Sequence, residues 1–570
     1  MSETNRGIVP NSAMSLEVPI ALRKGVRACT QHPLSNHLSY NDLSTSYSNF
    51  ISQLQSVDVP KTIQEALDVP EWKSAVLEEM NALTKSGTWE MVHLPEGKRT
   101  VGCKWVFTVK LKQDGSLERY KARLVAKGFT QTYDIDYQET FAPVAKLNTV
   151  RILLYLAANL DWPLYQMDVK NAFLNGDLQE EVFMDPPPGF EKQFGGKICR
   201  LKKSLHGLKQ SPRAWFEKFS KSVKKQGYIQ GKSDHTMFVK HTSEGKMAIL
   251  IVYVDDIIIT GNDETEITRL KDGLALEFEI KDLGSLRYFL GMEVARSRKG
   301  IYVSQRKYVL DLLKETGMSG CRPSDIPMDP NQKLNSATKG ASVEKERYQR
   351  LVGKLIYLSH TRPDITFAVS MVSQFMHSPH EEHMEVVYKI LRYLKNSPGK
   401  GLLFQKHNKR DIVAYIDADW AGSISDRRST TGYCTFLWGN LVSWRSKKQS
   451  VVARSSAEAE LRAMANGVRE LLWLKLVLEE LKLSWEVPMM LFCDNKSAIS
   501  IVNNPVQHDR TKHIEVDRHF IKEKLEGGLI CMPFVTSEQQ IADALTKSHF
   551  RPKFEDFISK LGMVDIFAPT

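Results

Sequence analysis

The pattern of apolar and polar positions changes twice along the chain. Over residues 61–300, helical spacing in PEWKSAVLEEMNAL is followed by the β-rich run CKWVFTVKLK, a turn at 113–115 and a second β-rich run, ERYKARLVAKG. Helices that alternate with short strands predict an α+β domain. Over residues 343–396, EKERYQRLVGKLIYLSH and HMEVVYKILRYLKN place apolar residues three and four positions apart, which predicts a helical connector.

Strand patterns return after Gly401. DIVAYIDADWAG and YCTFLWGNLVSW are followed by a long helix from Ser456 and by the strand MMLFCDN. We therefore expect a second, smaller α/β domain. The first 60 or so residues are rich in Ser, Asn and Gln and have little periodicity, which is typical of a disordered or spacer segment.

Length and charge favour a multidomain protein with a polyanionic partner. The 570 residues exceed what one hydrophobic core supports, and the net charge of +11 favours nucleic acid, although an ordinary basic surface explains that charge equally well. Seven cysteines without a CxxC pair argue against a disulfide framework and a zinc knuckle. The longest apolar segment, MAILIVYVDDIIIT, carries two carboxylates, so we expect no membrane partner.

Three carboxylates have the setting of a metal site. Asp255 and Asp256 interrupt ILIVYVDDIIIT, which otherwise reads as a buried hairpin, and Asp168 ends a short strand in LYQMDVKNAFLNGDL. A polar turn and a helix N-cap are the simpler readings. However, two like charges about 4 Å apart repel by about 4 kcal/mol at an effective dielectric of 20, and divalent cations relieve that repulsion. Three such acids on neighbouring strand ends suit two Mg²⁺ ions.

Four segments together resemble the reverse transcriptase of copia-type retrotransposon Pol polyproteins. They are YVDD, the segment around Asp168, SLHGLKQSPRAWF and KWVFTVKLKQDGSLERYKARLVAKGFTQ, and they occur in the family's order. The resemblance implies a right-hand polymerase with fingers, palm and thumb, in which Asp168, Asp255 and Asp256 bind two Mg²⁺ ions. It also implies a C-terminal ribonuclease H-like domain.

The resemblance suggests several nucleotide contacts. Lys110, Lys121 and Arg123 of the fingers would meet the triphosphate, with Arg123 preferred because its fork suits phosphate oxygens; each is equally readable as an exposed strand charge. Phe173 resembles the steric gate against a ribose 2′-hydroxyl, although a core aromatic is the simpler reading. Gln210 resembles a glutamine that touches nucleotide or template, and His206 departs from the tyrosine expected before Gly207.

A second set of acids lies in the C-terminal domain. Asp417 in YIDADWAG, Glu460 in SSAEAEL, Asp494 in LFCDNKSA and Asp543 in QQIADALTK occur on a strand, a helix, a strand end and a C-terminal helix. This order resembles the four-carboxylate, two-metal site of ribonuclease H. Glu458 competes with Glu460 for the helical position, and Glu460 is preferred because AEL is the form that the family motif takes. QHDRTKHIEVDRHFIKEKL has three histidines but no cysteines, and it reads as a basic helical surface in which His513 is a weaker candidate for substrate contact.

The expected organisation has five parts: a disordered or spacer segment 1–60, fingers and palm 61–300, thumb and helical connector 301–405, a ribonuclease H-like domain 406–550 and a tail 551–570. The expected function is RNA-directed DNA synthesis with cleavage of RNA in RNA:DNA hybrids. Mg²⁺ is the expected cofactor, two ions per site, with Mn²⁺ as a substitute.

The expected partners are an RNA template, a DNA primer, the hybrid, dNTPs and integrase from the same element. We expect cytoplasmic virus-like particles with nuclear entry. The main alternative is a truncated, inactive or domesticated relic that binds nucleic acid without catalysis. An unrelated two-metal nuclease would explain the four later acids but not YVDD or GLKQSPR.

Overall fold

The computed structural model describes residues 59–111, 117–332, 334–335, 340–503 and 512–567. Residues 1–58 of the expected spacer and the expected turn at 113–115 lie outside this part of the chain. The chain divides into two compact units. The first contains the residues up to Lys127 together with Phe183–Arg200, and the second contains Gly128–Val182 and Leu201–Thr570. The five-part division above stays a prediction.

The helices and strands follow in chain order. The α-helices are α1 (Ile63–Asp68), α2 (Pro70–Lys85), α3 (Leu147–Asn159), α4 (Glu191–Phe194), α5 (Ser211–Lys225), α6 (Glu264–Glu277), α7 (Arg306–Glu315), α8 (Lys345–Leu358), α9 (Thr366–Ser373), α10 (Glu381–Asn396), α11 (Ser456–Glu480), α12 (Lys496–Asn503), α13 (Lys512–Glu526) and α14 (Arg551–Lys560). The strands are β1 (Trp89–Val92), β2 (Thr100–Val101), β3 (Cys103–Leu111), β4 (Leu117–Ala126), β5 (Leu164–Val169), β6 (Asp177–Met184), β7 (Ile198–Lys203), β8 (Ile229–Gln230), β9 (Met237–His241), β10 (Met247–Tyr253), β11 (Asp256–Gly261), β12 (Ile280–Ser285), β13 (Tyr288–Phe289), β14 (Met292–Ser297), β15 (Gly300–Ser304), β16 (Lys400–Gln405), β17 (Ile412–Ala418), β18 (Thr430–Leu437), β19 (Asn440–Lys448), β20 (Met489–Phe492), β21 (Ile530–Cys531) and β22 (Met563–Asp565).

The first unit is built on the antiparallel pair β3–β4. Helix α2 begins at Pro70, where the missing N–H costs nothing in the first turn. Its buried Trp72 packs edge-on against Phe107 of β3 and Tyr120 of β4, with ring centroids 5.6 and 4.8 Å apart. The predicted helix PEWKSAVLEEMNAL and both predicted strands are confirmed.

The second unit contains a six-stranded sheet in the order β12–β5–β11–β10–β9–β8. Successive side chains of a strand point to opposite faces, so β10 can be apolar throughout and bury its residues from Met247 to Val252. Ile249 and Ile251 join the core that includes helix α3, whereas Leu250 and Val252 join the core that includes α5 and α6. The hairpin β10–β11 predicted from ILIVYVDDIIIT is confirmed.

The segment between the two sequence domains combines a sheet with helices. Helices α8, α9 and α10 confirm the predicted helical connector. A five-stranded sheet in the order β13–β14–β15–β16–β22 joins residues far apart in sequence. Its last strand comes from the residues expected to be a tail: they form α14, which buries Phe554, Phe557 and Ile558, and then β22, which pairs with β16. Residues 551–567 of the expected tail are therefore folded.

The C-terminal domain is a five-stranded mixed sheet in the order β19–β18–β17–β20–β21. Strands β17, β18 and β19 are antiparallel, whereas β20 runs parallel to both β17 and β21. Helix α11 packs against β17 and β18, and the Ser455 hydroxyl caps its start by accepting from the Glu458 N–H. Among the described residues, no helix combines the length and apolar content needed to cross a bilayer.

Candidate active sites

The pairing of β5 with β11 brings the first three acids together. Asp168 and Asp256 are direct register partners, and Asp255 lies in the two-residue turn that joins β10 to β11. The Val169 N–H donates to the Asp255 carbonyl at 2.8 Å, which ties the turn to β5. We call Asp168, Asp255 and Asp256 the hairpin acids. They occupy one end of two neighbouring strands, as the sequence predicts.

The turn that carries Asp255 has an unusual backbone. Val254 has a φ of 57°, a left-handed conformation that β-branched residues rarely adopt. The buried Trp215 of α5 donates its indole N–H to the Val254 carbonyl at 2.6 Å. This contact compensates for the absence of the Asn-Gly or Asp-Gly pair that hairpin turns prefer. The position of the two adjacent acids is therefore fixed by a contact from α5.

Charge accumulates at this turn. Burial raises the pKa of Asp256, and the neighbouring charges of Asp255 and Asp168 raise it further. The Gln166 amide opposes this shift by donating to Asp256 Oδ1 at 3.2 Å. Carboxylate oxygens that repel one another and face solvent in part are the donors that Mg²⁺ prefers. The residues present therefore fit a magnesium site.

The C-terminal domain gathers its acids from four elements. Asp417 lies on β17, Glu460 on α11 and Asp494 after β20, and Asp543 lies on the short 3₁₀ helix Ile541–Leu545 rather than on a longer helix. Asp417, Asp494 and Asp543 each offer an oxygen within 4.8 Å of the others. The Ala418 N–H donates to Glu460 Oε1 at 3.1 Å, which holds this carboxylate beside Asp417. We call these four residues the cleft acids.

Burial makes two of the cleft acids, Asp417 and Glu460, costly to ionise. Asp417, Glu460 and Asp543 are 3%, 4% and 1% exposed. Burial raises the pKa of both Asp417 and Glu460, and their mutual repulsion adds to the rise for Glu460. Lys547 opposes this, because its Nζ lies 2.9 Å from Asp543 and 3.9 Å from Asp417. Lys553 lies 3.2 Å from the other Asp543 oxygen.

An open cleft of about 630 Å³ gives access to these acids. Asp417, Glu460 and Asp494 line it, with Lys547 and two aromatic residues, Trp420 and Phe534. Cys493 lies beside Glu460, but burial raises the pKa of its thiol, which therefore stays protonated and is no ligand for a hard cation. The oxygen donors of the cleft fit Mg²⁺.

The structure separates the two candidate glutamates of α11. Glu458 accepts from the Arg454 N–H at 2.7 Å and pairs with Arg462 at 2.6 Å. It therefore serves the start of the helix. Glu460 is the one that reaches the Ala418 backbone and the acid cluster.

Comparisons with known proteins identify the family. Residues 86–330 match the family model described as reverse transcriptase (RNA-dependent DNA polymerase). The Pol polyprotein of transposon RE1 from Arabidopsis thaliana is 44% identical over 89% of this chain and 35% of its own length. A Ty5-1 transposon protein of Saccharomyces cerevisiae is 32% identical over 54% of this chain and all of its own length. The chain belongs to the reverse transcriptase family of copia-type retrotransposons.

The chain spans about a third of the length of the RE1 polyprotein that it matches. Among solved structures, a foamy viral protease-reverse transcriptase in complex with an RNA/DNA hybrid is similar, with a TM-score of 0.45 and 13% identity. That likeness covers 82% of this chain and 54% of the viral one. At that score it supports no conclusion about this chain.

Phe173, the expected steric gate of the reverse transcriptase, is half-buried. Its ring contacts the ring of His206 edge-on, with centroids 5.0 Å apart. The Phe173 carbonyl accepts from the Ser204 hydroxyl, so the two segments are joined at both side chain and backbone. Sequence reasoning treated His206 only as a departure from the family pattern. Its contact with Phe173 is a feature that no short motif predicts.

Gln210 is placed differently from its expected role. It is fully buried, and its amide accepts from Gln131 Nε2 at 3.1 Å and donates to the Asp136 carbonyl at 3.2 Å. Gln131 in turn accepts from the Lys209 N–H at 2.9 Å. Both ends of the Gln210 amide are therefore used inside the protein. Its contact with nucleotide or template stays a prediction, and this internal network does not support it.

The three basic residues expected at the triphosphate lie on β3 and β4 of the first unit. Burial raises the pKa of the Glu79 carboxyl, and the positive charges of Arg123 and Lys121 nearby oppose that rise. Lys110 is the last but one residue of β3, and its side chain lies outside the described residues. The hairpin acids belong to the other unit. The triphosphate contacts therefore stay predictions.

The histidine-rich segment forms helix α13 in part. His519 is exposed, with its Nε2 3.8 Å from Glu515, as expected for a solvated helical surface. His508 and the side chain of His513 lie outside the described residues.

Proposed function

We propose that this chain is an RNA-directed DNA polymerase that copies retrotransposon RNA into DNA by two-metal phosphoryl transfer. The observation that carries the proposal is the register of Asp168 opposite Asp256, with Asp255 in the adjoining turn. In this proposal β3 and β4 act as fingers, the six-stranded sheet is the palm, and the segment 301–405 contributes the thumb and connector.

The hairpin acids would hold two Mg²⁺ ions, with Mn²⁺ as a substitute. When bound, these ions neutralise phosphate charge and favour ionisation of the attacking hydroxyl. Asp255 would supply oxygen from the turn, Asp256 from the start of β11 and Asp168 from β5. Gln166 orients the Asp256 carboxylate, and the ring of Phe173 excludes the ribose 2′-hydroxyl. Arg123, Lys121 and Lys110 bind the triphosphate.

We also propose that the C-terminal domain is a ribonuclease H that cuts the RNA strand of RNA:DNA hybrids. The cleft acids Asp417, Glu460, Asp494 and Asp543 would hold its Mg²⁺ ions. Glu460 is oriented by the Ala418 N–H, and Lys547 offsets the charge between Asp417 and Asp543. Two sites on one chain suit one task, because copying RNA leaves a hybrid whose RNA must be removed before the second DNA strand is made.

The proposed partners are an RNA template, a DNA primer, their hybrid, dNTPs and the integrase of the same element. Binding to nucleic acid relies mainly on phosphate and sugar contacts, which accords with a net charge of +11. The proposed location is a cytoplasmic virus-like particle, followed by entry into the nucleus.

Primer extension on poly(rA)/oligo(dT) with Mg²⁺ tests the polymerase. The parent protein should incorporate dTTP, and the Asp255→Asn, Asp256→Asn double variant should lose incorporation while keeping its circular dichroism spectrum. A folded parent that incorporates nothing would instead favour an inactive relic that only binds nucleic acid.

A further inference from the structure

Two large aromatic side chains are exposed at the cleft of the C-terminal domain. Trp420 is 57% exposed and Phe534 is 45% exposed, and both line the cavity that Asp417, Glu460 and Asp494 also line. An aromatic ring of this size gains free energy when it leaves water, and exposed apolar groups at a polar cleft often mark a binding surface.

Trp420 is held in its exposed position. Its indole N–H donates to the Ala453 carbonyl at 3.2 Å. The next residue, Ala421, has a left-handed φ of 53°, and its N–H donates to the Ser429 hydroxyl at 3.1 Å. The loop after β17 is thus fixed at two points. The indole presents a fixed flat surface to the cleft.

The strand order puts the two rings on opposite sides of the acids. Ala453, to which Trp420 bonds, follows the edge strand β19. Phe534 follows the other edge strand, β21, and forms a parallel bridge with Cys493. The acids of β17 and β20 lie between these edges, because β17 and β20 are adjacent inner strands of the sheet. The rings are therefore two walls of one cleft.

Basic groups accompany the walls. Lys496 Nζ lies 4.7 Å from the centroid of the Phe534 ring, and Lys547 lies between Asp417 and Asp543. Both lysines line the same cleft. Flat apolar surfaces combined with cations suit a strand of nucleic acid, whose sugars are apolar in part and whose phosphates are anionic.

We infer that Trp420 and Phe534 grip the RNA strand of the hybrid on either side of the phosphate that is cut. The inference rests on the proposed ribonuclease function. The shallow minor groove of an A-like duplex exposes sugar rings and 2′-hydroxyls, so side chains can pack there without opening base pairs. Trp420 and Phe534 pack against the flanking nucleotides, while Lys496 and Lys547 bind their phosphates.

Acrylamide quenching of tryptophan fluorescence tests the contact without any catalysis. The parent and Trp420→Phe proteins are compared in EDTA, with and without a blunt-ended RNA:DNA hybrid. Because Trp420→Phe removes one of ten indoles and keeps a ring, the difference between the two proteins reports on Trp420. We expect the hybrid to protect this difference signal. An unchanged difference signal at saturating hybrid would overturn the inference, whether or not the protein cleaves RNA.

Single-turnover cleavage with protein in excess tests the consequence. Trp420→Ala and Phe534→Ala should each raise the half-saturating protein concentration by about fivefold, which corresponds to the loss of about 1 kcal/mol of aromatic packing against the sugars. Trp420→Phe should stay close to the parent. The matched control is Phe550→Ala, which removes a ring that is 62% exposed and lies outside the residues of this cleft. Primer extension by Phe550→Ala should be unchanged.

The two proposals fail in different ways. A folded parent that cleaves no hybrid in Mg²⁺ contradicts the ribonuclease function, and the quenching result still decides whether Trp420 meets the strand. A parent that cleaves, with Trp420→Ala and Phe534→Ala both matching Phe550→Ala, contradicts the grip alone.

Discussion

The hairpin acids and the cleft acids are two sets of neighbouring carboxylates that are brought together by different architectures. The hairpin acids come from two paired strands and the turn between β10 and β11, and Asp255 at its tip is exposed. The cleft acids come from four elements of the C-terminal domain, and three of them are nearly inaccessible to solvent. Among the described residues, it is the cleft acids that offer three oxygens within 4.8 Å of one another.

The two sites therefore depend to different degrees on the fold around them. The hairpin acids need one register and one hydrogen bond from Trp215 to hold their turn. The cleft acids need the strand order of a whole sheet, the start of α11 and the 3₁₀ helix Ile541–Leu545. The cleft also needs Lys547 and Lys553 to offset charges that burial makes unfavourable.

The largest expected effect is the difference in hybrid cleavage between variants of two glutamates that lie two positions apart on α11. Glu460→Gln should lower hybrid cleavage by about a hundredfold or more, the scale seen when one preorganised charged or polar group is removed from an active site. Glu458→Gln should leave the cleavage rate within a fewfold, because Glu458 bonds to Arg454 and Arg462 at the helix start. Single-turnover cleavage of a labelled hybrid measures both. Equal losses of cleavage rate in the two variants would contradict the different roles given to Glu460 and Glu458.

The next effect separates the polymerase from the nuclease. Phe173→Val should raise the use of ribonucleotides relative to deoxynucleotides by roughly tenfold or more, because loss of the ring opens space for the 2′-hydroxyl. Phe173→Tyr keeps the ring and should retain selectivity. Cleavage of a preformed hybrid should be the same in all three proteins. Unchanged nucleotide selectivity in Phe173→Val would make Phe173 a core residue.

Magnesium should stabilise the cleft more than the hairpin. At about ten times its dissociation constant, Mg²⁺ adds about 1.4 kcal/mol to the free energy of unfolding, which raises the Tm by a few degrees. The Asp417→Asn, Asp543→Asn protein should lose most of this rise, whereas the Asp255→Asn, Asp256→Asn protein should keep most of it. Differential scanning fluorimetry in Mg²⁺ and in EDTA at matched ionic strength measures the rise. A rise in Tm that is lost in the Asp255→Asn, Asp256→Asn protein and kept in the Asp417→Asn, Asp543→Asn protein would contradict this prediction.

The smallest effect concerns the connector between the sites. His383 is buried against Phe375, its Nδ1 accepts from the His380 N–H at 3.0 Å, and its Nε2 lies 3.1 Å from the Asn335 carbonyl. Burial lowers the pKa of His383, with His380 lowering it further and Glu382 opposing. Its contribution to stability is therefore present above about pH 6.5 and is lost as the pH falls toward the lowered value.

Urea unfolding at pH 7.5 and pH 5.5 checks this effect. The parent should lose more of its free energy of unfolding than His383→Gln does over that interval. Both active sites should lose activity only through this global change. An identical pH dependence in the two proteins would mean that His383 titrates normally in the fold.

Much of the architecture follows from short patterns. The hairpin β10–β11, the strands β3 and β4 and the connector helices all follow from apolar spacing, because each buries a face set by its own residues. The fold of residues 551–567 was missed, since β22 is short and gains its stability by pairing with β16, which is distant in sequence.

The candidate site residues divide in the same way into those that a short pattern predicts and those that it does not. YVDD marks Asp255 and Asp256 directly, because the two acids are adjacent in one hairpin. The family form AEL favours Glu460 over Glu458, and in the structure Glu460 accepts from the Ala418 N–H. The internal bonds of Gln210, by contrast, depend on Gln131, 79 positions away. The contact of His206 with Phe173 likewise joins separate segments. Such pairings depend on tertiary structure, which local sequence does not encode.

One crossed experiment tests most directly the claim that two separate metal sites act on one strand. A labelled RNA template with a DNA primer is incubated with dNTPs and Mg²⁺, and DNA length and RNA length are measured together for the parent, the Asp255→Asn, Asp256→Asn protein and Asp543→Asn. We predict that the first variant makes no DNA yet cuts a preformed hybrid, and that Asp543→Asn extends the primer yet leaves the RNA intact. Loss of both activities in each folded variant, or of neither, would contradict this account.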